Sequence, residues 1–272
     1  MNRYLDAALE YNGNSLSDLT SLLFNVKQNL SAEIAYNLLQ KIPQSQRASG
    51  SISYAEASIL LDLNRYPEVF GVLQRIWKAD GMTPEFSQEA LHAFLSEFVS
   101  KDLDLAPFLP IYKEFLATYP TNFDAQLDLQ SLLYMLDKHS ERHAQLVRMA
   151  ELFPTGHPEL WNGLFQDLLS RGAYDELYKY FPQALKQYPH EGSLFLFKSL
   201  AEETSGDLEL AKRTALQGIA QADTTQTEVL SDLYGQVGDL CVAQHKNQDA
   251  IAAYEESIKL NEKNATALNN YA

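Results

Sequence analysis

Between Ser231 and Ala272, Tyr234, Val237, Gly238, Ala250, Tyr254 and Ile258 stand at fixed offsets in two apolar-periodic segments divided by a short polar turn. The next segment, Ala265-Thr-Ala-Leu-Asn-Asn-Tyr-Ala272, begins the same pattern again. A helix pair of this size cannot bury its apolar face alone, so a repeating pair requires a stack of neighbours. The rest of the chain is legible as that stack.

The turns carry the period. Leu116-Ala-Thr-Tyr-Pro120, Met149-Ala-Glu-Leu-Phe-Pro154 and Leu185-Lys-Gln-Tyr-Pro189 close similar phrases, with prolines 34 and 35 residues apart. A proline just past a helix end cannot continue the helix and biases the preceding residue away from it. Thr83-Pro84 reads as a helix cap followed by proline at the first helical position. Thr225-Gln-Thr-Glu228 has capping-box spacing, and Ser140 and Asp207 also mark helix starts. Pro182, mid-helix in this frame, predicts a kink or break. No segment alternates with period two, which predicts an absence of sheet.

These features resemble the tetratricopeptide repeat (TPR), a 34-residue helix–turn–helix unit. The unit from Ser231 carries its pattern best, in Tyr234, Val237, Gly238, Cys241, Ala250, Tyr254 and Ser257. The unit from Gly192 has Phe195, Ser199, Gly206, Ala211 and Gly218, and that from Pro158 has Trp161, Leu164, Leu168 and Pro189, with Leu177 where alanine is the rule. The last segment is similar to the Ala-Leu-Asn-Asn-Leu-Ala opening of bacterial TPRs. The resemblance implies an all-α fold, a right-handed α-α superhelix of stacked antiparallel pairs. Close packing is the physical content of the pattern: small residues such as Gly238 and Ala250 let helices approach, and bulky ones such as Tyr234 and Tyr254 fill the gaps.

On this frame residues 1–48 form an irregular helical cap or degenerate repeats, punctuated at Asn12-Gly13-Asn14 and ended by Pro43. Six units follow at roughly 50–84, 89–122, 123–156, 158–191, 192–225 and 231–264. Residues 265–272 open a further first helix, which suggests a fragment of a longer protein with more repeats downstream.

With 36 acidic and 21 basic residues the net charge is −15, and no run of Lys or Arg interrupts it. That balance argues against sequence-independent nucleic-acid binding and against an anionic membrane surface. No apolar run reaches the ~18 residues of a membrane helix. The start has no apolar core or cleavage signature, so it does not read as a signal peptide. Cys241 is the sole cysteine, so no internal disulfide forms and the redox compartment stays open.

No catalytic set emerges, and no metal or cofactor is expected. His139 and His143 have a spacing that suits a metal on a helix, yet Ser140 reads as the cap, leaving His139 outside it and both as solvated turn residues. Asp102-Leu-Asp104 lacks the glycine and closing glutamate of a calcium loop. Cys241 reads as a buried inert thiol with nothing nearby to activate it. Tyr174, Tyr178, Phe181 and Leu185 run at helical spacing and read as inter-helix packing.

What remains is a non-enzymatic scaffold that binds a peptide or protein partner. The alternative is a regulatory or sensor segment of a larger protein whose effector domain lies outside this chain. In TPR stacks the first helices line a concave groove. The resemblance carries that groove onto Asp124, Leu127, Ser131 and Tyr134; onto Glu159, Asn162, Gln166 and Leu169; onto Ser193, Leu196, Leu200 and Glu203; onto Asp232, Gly235, Asp239 and Val242; and onto Asn269. No Lys or Arg stands at these positions, so a clamp for a C-terminal carboxylate is not expected, and a basic, partly apolar peptide fits better by charge.

Overall fold

The computed structural model describes residues 2–12 and 15–271, with side chains from Asp6 to Tyr11 and from Ser15 onward. Gly13 and Asn14 of the expected N-terminal punctuation, and Ala272, lie outside the described residues. Among the described residues there are seventeen helices and no strand, only an isolated bridge between Ser49 and Asp80. The chain divides into two compact units, residues 1–142 and 143–272.

The first unit contains α1 (Asn2–Asn12), α2 (Leu16–Asn29), α3 (Ala32–Leu39), α4 (Gln44–Arg47), α5 (Gly50–Asp62), α6 (Tyr66–Ile76), α7 (Pro84–Ser100), α8 (Phe108–Thr118), α9 (Phe123–Met135) and the first turn of α10 (His139–Leu152). Two apolar clusters hold it together. One gathers Leu19, Leu23, Leu38, Leu39 and Ile52 from α2, α3 and α5. The other runs from Ala57 to Leu133 through Phe94, Phe98, Phe108, Tyr112 and Phe115. The second unit continues α10 and adds α11 (Pro158–Ser170), α12 (Tyr174–Gln187), α13 (Gly192–Thr204), α14 (Leu208–Gln221), α15 (Thr227–Ala243), α16 (Asn247–Leu260) and α17 (Ala265–Tyr271). Its apolar clusters centre on Trp161, Phe165 and Leu177, and on Phe195, Leu233 and Tyr254. In this unit each helix packs on the next one or two in order: α13 on α14 and α15, α15 on α16 and α17. Packing between near neighbours is what a stack of hairpins requires.

One backbone device recurs inside the pairs. Asn64, Asp102, Asp137, Gly172, Gly206 and His245 all have positive φ, between 52° and 90°. In each case the following N–H reaches back five residues. Arg65 donates to Leu60, Leu103 to Phe98, Lys138 to Leu133, Ala173 to Leu168, Asp207 to Glu202 and Lys246 to Cys241, all at 2.9–3.1 Å. This is the Schellman closure of a helix C-terminus. From Asp102 to Gly206 its spacing is 35, 35 and 34 residues.

Several expected starts are present. The side chains of Thr83 and Asp207 accept from Phe86 N and Leu210 N, and Pro84 is the first residue of α7. Others differ. The capping box at Thr225 does not form, because Asp223 takes both the amide and the hydroxyl of Thr225 (2.8 and 2.7 Å) and α15 begins two residues later. His139 is the first residue of α10 rather than a turn residue outside it. Helix α12 runs unbroken through Pro182, whose exposed position lets its ring sit against solvent while flanking Leu177 and Ala184 stay buried.

Candidate partner-binding faces

In the second unit α11, α13, α15 and α17 pack side by side, so residues on their shared solvent side form one surface. Glu159, Gln166, Asp232, Val242 and Asn269 are exposed there; Asn162, Leu169, Leu196, Leu200, Glu203 and Asp239 are half-buried. Ser193 and Gly235 are not surface residues at all. Ser193 is 7% exposed, and its hydroxyl lies 2.6 Å from both Asn162 Oδ1 and Glu191 Oε1.

The polar side chains of this surface are tied helix to helix. Gln236 Nε2 donates to Glu203 Oε2 (2.8 Å) and Gln226 Nε2 to Glu191 Oε2 (3.1 Å). Asn264 Nδ2 donates to Asp232 Oδ1 (3.0 Å). Asp239 Oδ1 accepts from Tyr254 Oη (2.6 Å) and Asn270 Nδ2 (2.7 Å). Except for the Tyr254–Asp239 bond within one pair, these bonds join positions about one unit apart; all the donors are neutral, so the carboxylates keep their charge uncompensated. Although Asp232 is exposed as a residue, crowding of its carboxyl raises its pKa above the ordinary carboxylate value. The Asn264 bond works against that rise, and Glu228 adds to it.

The charge is asymmetric. Helices α11, α13, α15 and α17 carry seven acidic residues and one basic, Lys198, whereas α12, α14 and α16 carry six acidic and five basic. Lys198 is itself held by Glu202 (2.5 Å) and lies 5.3 Å from the Phe181 ring.

In the first unit the corresponding helix is α9. Asp124, Ser131 and Tyr134 are exposed and Leu127 is half-buried. Tyr134 is 64% exposed, with the Arg142 guanidinium 5.2 Å from its ring. One helical turn from both Asp124 and Ser131 on α9, the carboxylate of Asp128, 8% exposed, accepts from Gln88 Nε2 (3.1 Å) and Tyr112 Oη (3.0 Å), and pairs with His92 Nδ1 (2.8 Å). Burial, and then Asp128, push the Tyr112 hydroxyl far above its ordinary pKa. Nothing local in sequence marks Asp128, since its partners stand 16 to 40 residues away.

Where α10 begins, Glu141 is gripped by Lys113 (2.7 Å) and Lys138 (2.9 Å), which hold its pKa down at about 2 against an ordinary 4.5. A depressed carboxyl contributes stability above its unfolded pKa and loses it as pH falls through the folded one. This site is at the surface, so the contribution is a few tenths of a kcal/mol. We expect Glu141→Gln to lower Tm slightly above pH 5 and the gap from wild type to close between pH 4.5 and pH 2; a gap independent of pH would refute the pairing.

Two other sequence readings change. His143 is not a solvated turn residue: it is half-buried, with Nδ1 2.9 Å from Asp167 and Nε2 3.3 Å from Glu176. Cys241 is fully buried, but it has a charged neighbour, Lys212, whose pKa is raised above the ordinary lysine value chiefly by its interaction with Cys241. Tyr174, Tyr178, Phe181 and Leu185 do pack between helices. Among the described residues, no group of three or more His, Cys, Asp and Glu could hold a metal, and no helix is long and apolar enough to cross a membrane.

Stacked helix pairs closed by a recurring Schellman turn, with a small-residue seam between the helices, define an all-α helical-repeat protein. More narrowly, the fold is TPR-like. It is similar to the C-terminal part of a TPR repeat-containing protein from Cytophaga hutchinsonii, with a TM-score of 0.54 and 15% identity over 93% of this chain and 99% of that one. A tetratricopeptide repeat protein from Parabacteroides merdae matches with a TM-score of 0.45 and 13% identity over 95% and 98%. YrrB, a TPR protein with an unusual peptide-binding site, matches at 0.46 and 13% over 66% and 89%. No family model matches the chain, and no curated protein matches it in sequence.

Proposed function

We propose that this protein is a non-enzymatic interaction scaffold whose first-helix surface in residues 143–272 binds a basic, partly apolar peptide or protein segment. The observation that carries this reading is the acidic bias of α11, α13, α15 and α17, where five of the seven acidic residues (all but the buried Asp167 and Glu202) reach solvent against one basic residue, beside the near balance of the helices paired with them. A solvated face has no need of such asymmetry. A surface with carboxylates at Glu159, Glu203, Asp232 and Asp239, interleaved with Leu196 and Leu200, offers charge to Lys or Arg and apolar contact to the residues between them. Asp124, Leu127, Ser131 and Tyr134 of α9 extend the proposal to the first unit, where Tyr134 is an exposed aromatic of the kind that anchors a partner.

The test is fluorescence anisotropy with a library of Lys/Arg–Leu peptides. The triple exchange Glu159→Gln, Glu203→Gln and Asp232→Asn is expected to weaken the best binder about tenfold and to flatten its salt dependence. Unchanged affinity, with the helical signal intact, would reject the acidic surface as the site. An alanine triple at Tyr134, Asn162 and Gln166 examines the uncharged positions in the same assay.

A further inference from the structure

In the first unit a cavity of about 330 Å³ opens between α4, α5 and the C-terminal end of α6, lined by Gln44, Arg47, Ser53, Glu56, Arg75 and Lys78 among others. We propose that it binds a phosphate monoester group. The pocket is independent of the acidic surface in residues 143–272 and selects the opposite charge.

Charge is the first argument. Three cations against one carboxylate give the lining a net charge of +2 in a chain of −15. Arg75 is paired with Glu56 at 2.8 Å, and Lys78 with Glu114 outside the lining. Arg47 has no carboxylate. Its Nη1 and Nη2 donate to the amide oxygens of Gln40 (3.1 Å) and Gln44 (2.8 Å), and its Nε is buried without a partner. Neutral acceptors orient the guanidinium and leave its charge unbalanced, a costly state for a half-buried cation unless an anion joins it.

Stoichiometry of charge selects the ligand. A phosphate monoester carries about −1.5 to −2 at pH 7 and presents three strong acceptor oxygens, enough to meet Arg47 and to compete with Glu56 and Glu114 for the exposed Arg75 and Lys78; a single carboxylate has charge for Arg47 alone. Guanidinium matches phosphate geometry, and Lys78 adds a mobile point charge. Gln44, whose oxygen is occupied by Arg47, keeps its amide NH₂ to donate. The volume is at the lower end of the range of ~300–1,000 Å³ for small-ligand sites, enough for a phosphorylated side chain or small molecule.

None of this is legible as a basic run. Arg47 is 28 residues from Arg75, and the segment after α4, which carries Arg47 at its end, is held to the segment after α6 by the Ser49–Asp80 bridge and by Gly50 N donating to Asp80 O at 3.0 Å.

Calorimetric titration at constant ionic strength and pH 7.5 tests the site with inorganic phosphate, O-phospho-L-serine, a phosphoserine peptide and acetate. Saturable binding of the phosphorylated probes, with acetate at least about tenfold weaker, is expected. Comparable binding of free phosphoserine and of the peptide identifies the group itself as the ligand, whereas preference for the peptide identifies a phosphorylated protein segment; either supports the site. Arg47→Gln should weaken binding by about tenfold or more, and Lys78→Gln, at an exposed position that leaves the fold untouched, about threefold. Arg65→Gln, at a residue held by Glu68 outside the pocket, should bind as wild type. Absence of saturable heat, acetate binding equal to phosphate, or full binding by Lys78→Gln together with Arg47→Gln would overturn the assignment.

Discussion

Exchange of Asp128 for alanine is expected to lower the free energy of unfolding by about 3–5 kcal/mol, read as a shift of the urea midpoint at constant m-value. One carboxylate on α9 holds Gln88 and His92 of α7 and Tyr112 of α8. His92 is exposed and finds water when the carboxylate goes, but the Tyr112 hydroxyl and the Gln88 amide lie in the core with no replacement acceptor. Each stranded group costs about 1–3 kcal/mol, and these losses set the magnitude. Asp128→Asn keeps one acceptor and should cost roughly half as much. A loss below about 1 kcal/mol for the alanine variant would show that the three helices are held by apolar contacts alone. Because Asp128 lies one helical turn from both Asp124 and Ser131 on the helix that also displays Tyr134, loosening this joint should also blunt any binding that depends on α9.

Gly238→Ala is expected to destabilise by about 2 kcal/mol or more, against the direction of helix propensity. Alanine is favoured over glycine inside a helix by roughly 1 kcal/mol, so a position without crowding gains stability. At Gly238 an added Cβ would meet Tyr254 Cε1 at 2.3 Å and Cδ1 at 2.6 Å. The ring cannot retreat, since it is 2% exposed and its hydroxyl is bonded to Asp239. Overpacking of this kind typically costs 1–3 kcal/mol and outweighs the propensity gain. Gly163→Ala is the internal control. Its added Cβ meets nothing nearer than Leu146 Cδ2 at 3.7 Å, so that variant should gain about 0.5–1 kcal/mol. If both exchanges stabilise, the close approach of α15 and α16 is not what Gly238 serves.

These two sites differ in how far the sequence discloses them. Gly238 and Tyr254 belong to one helix pair, sixteen residues apart, and the alternation of small and bulky residues along two amphipathic segments is enough to set them face to face. The caps at Thr83 and Asp207 are legible for the same reason, because a cap involves a side chain and an amide three residues on. Where a second local bond competes, as Asp223 does for Thr225, pattern alone chooses wrongly. The Asp128 joint, the Asn162–Ser193 and Glu203–Gln236 links and the convergence of Arg47 with Arg75 and Lys78 involve residues from different helices, 28 to 40 positions apart except for Tyr112 and Asp128 at 16, and no local pattern announces which donor will meet which acceptor.

By itself, then, the amino-acid sequence determined that the chain would be helical, paired, repetitive and acid-rich, since each of those properties is set by interactions within a few turns of helix or by composition. Only the tertiary structure decided that Ser193 is buried while Asp232 stays exposed, that His143 lies between two carboxylates, and that a positive pocket exists inside a negative protein. The physical reason is that hydrogen bonds and charge pairs between neighbouring helices depend on the relative placement of their backbones, which is fixed by core packing after the local pattern has been satisfied.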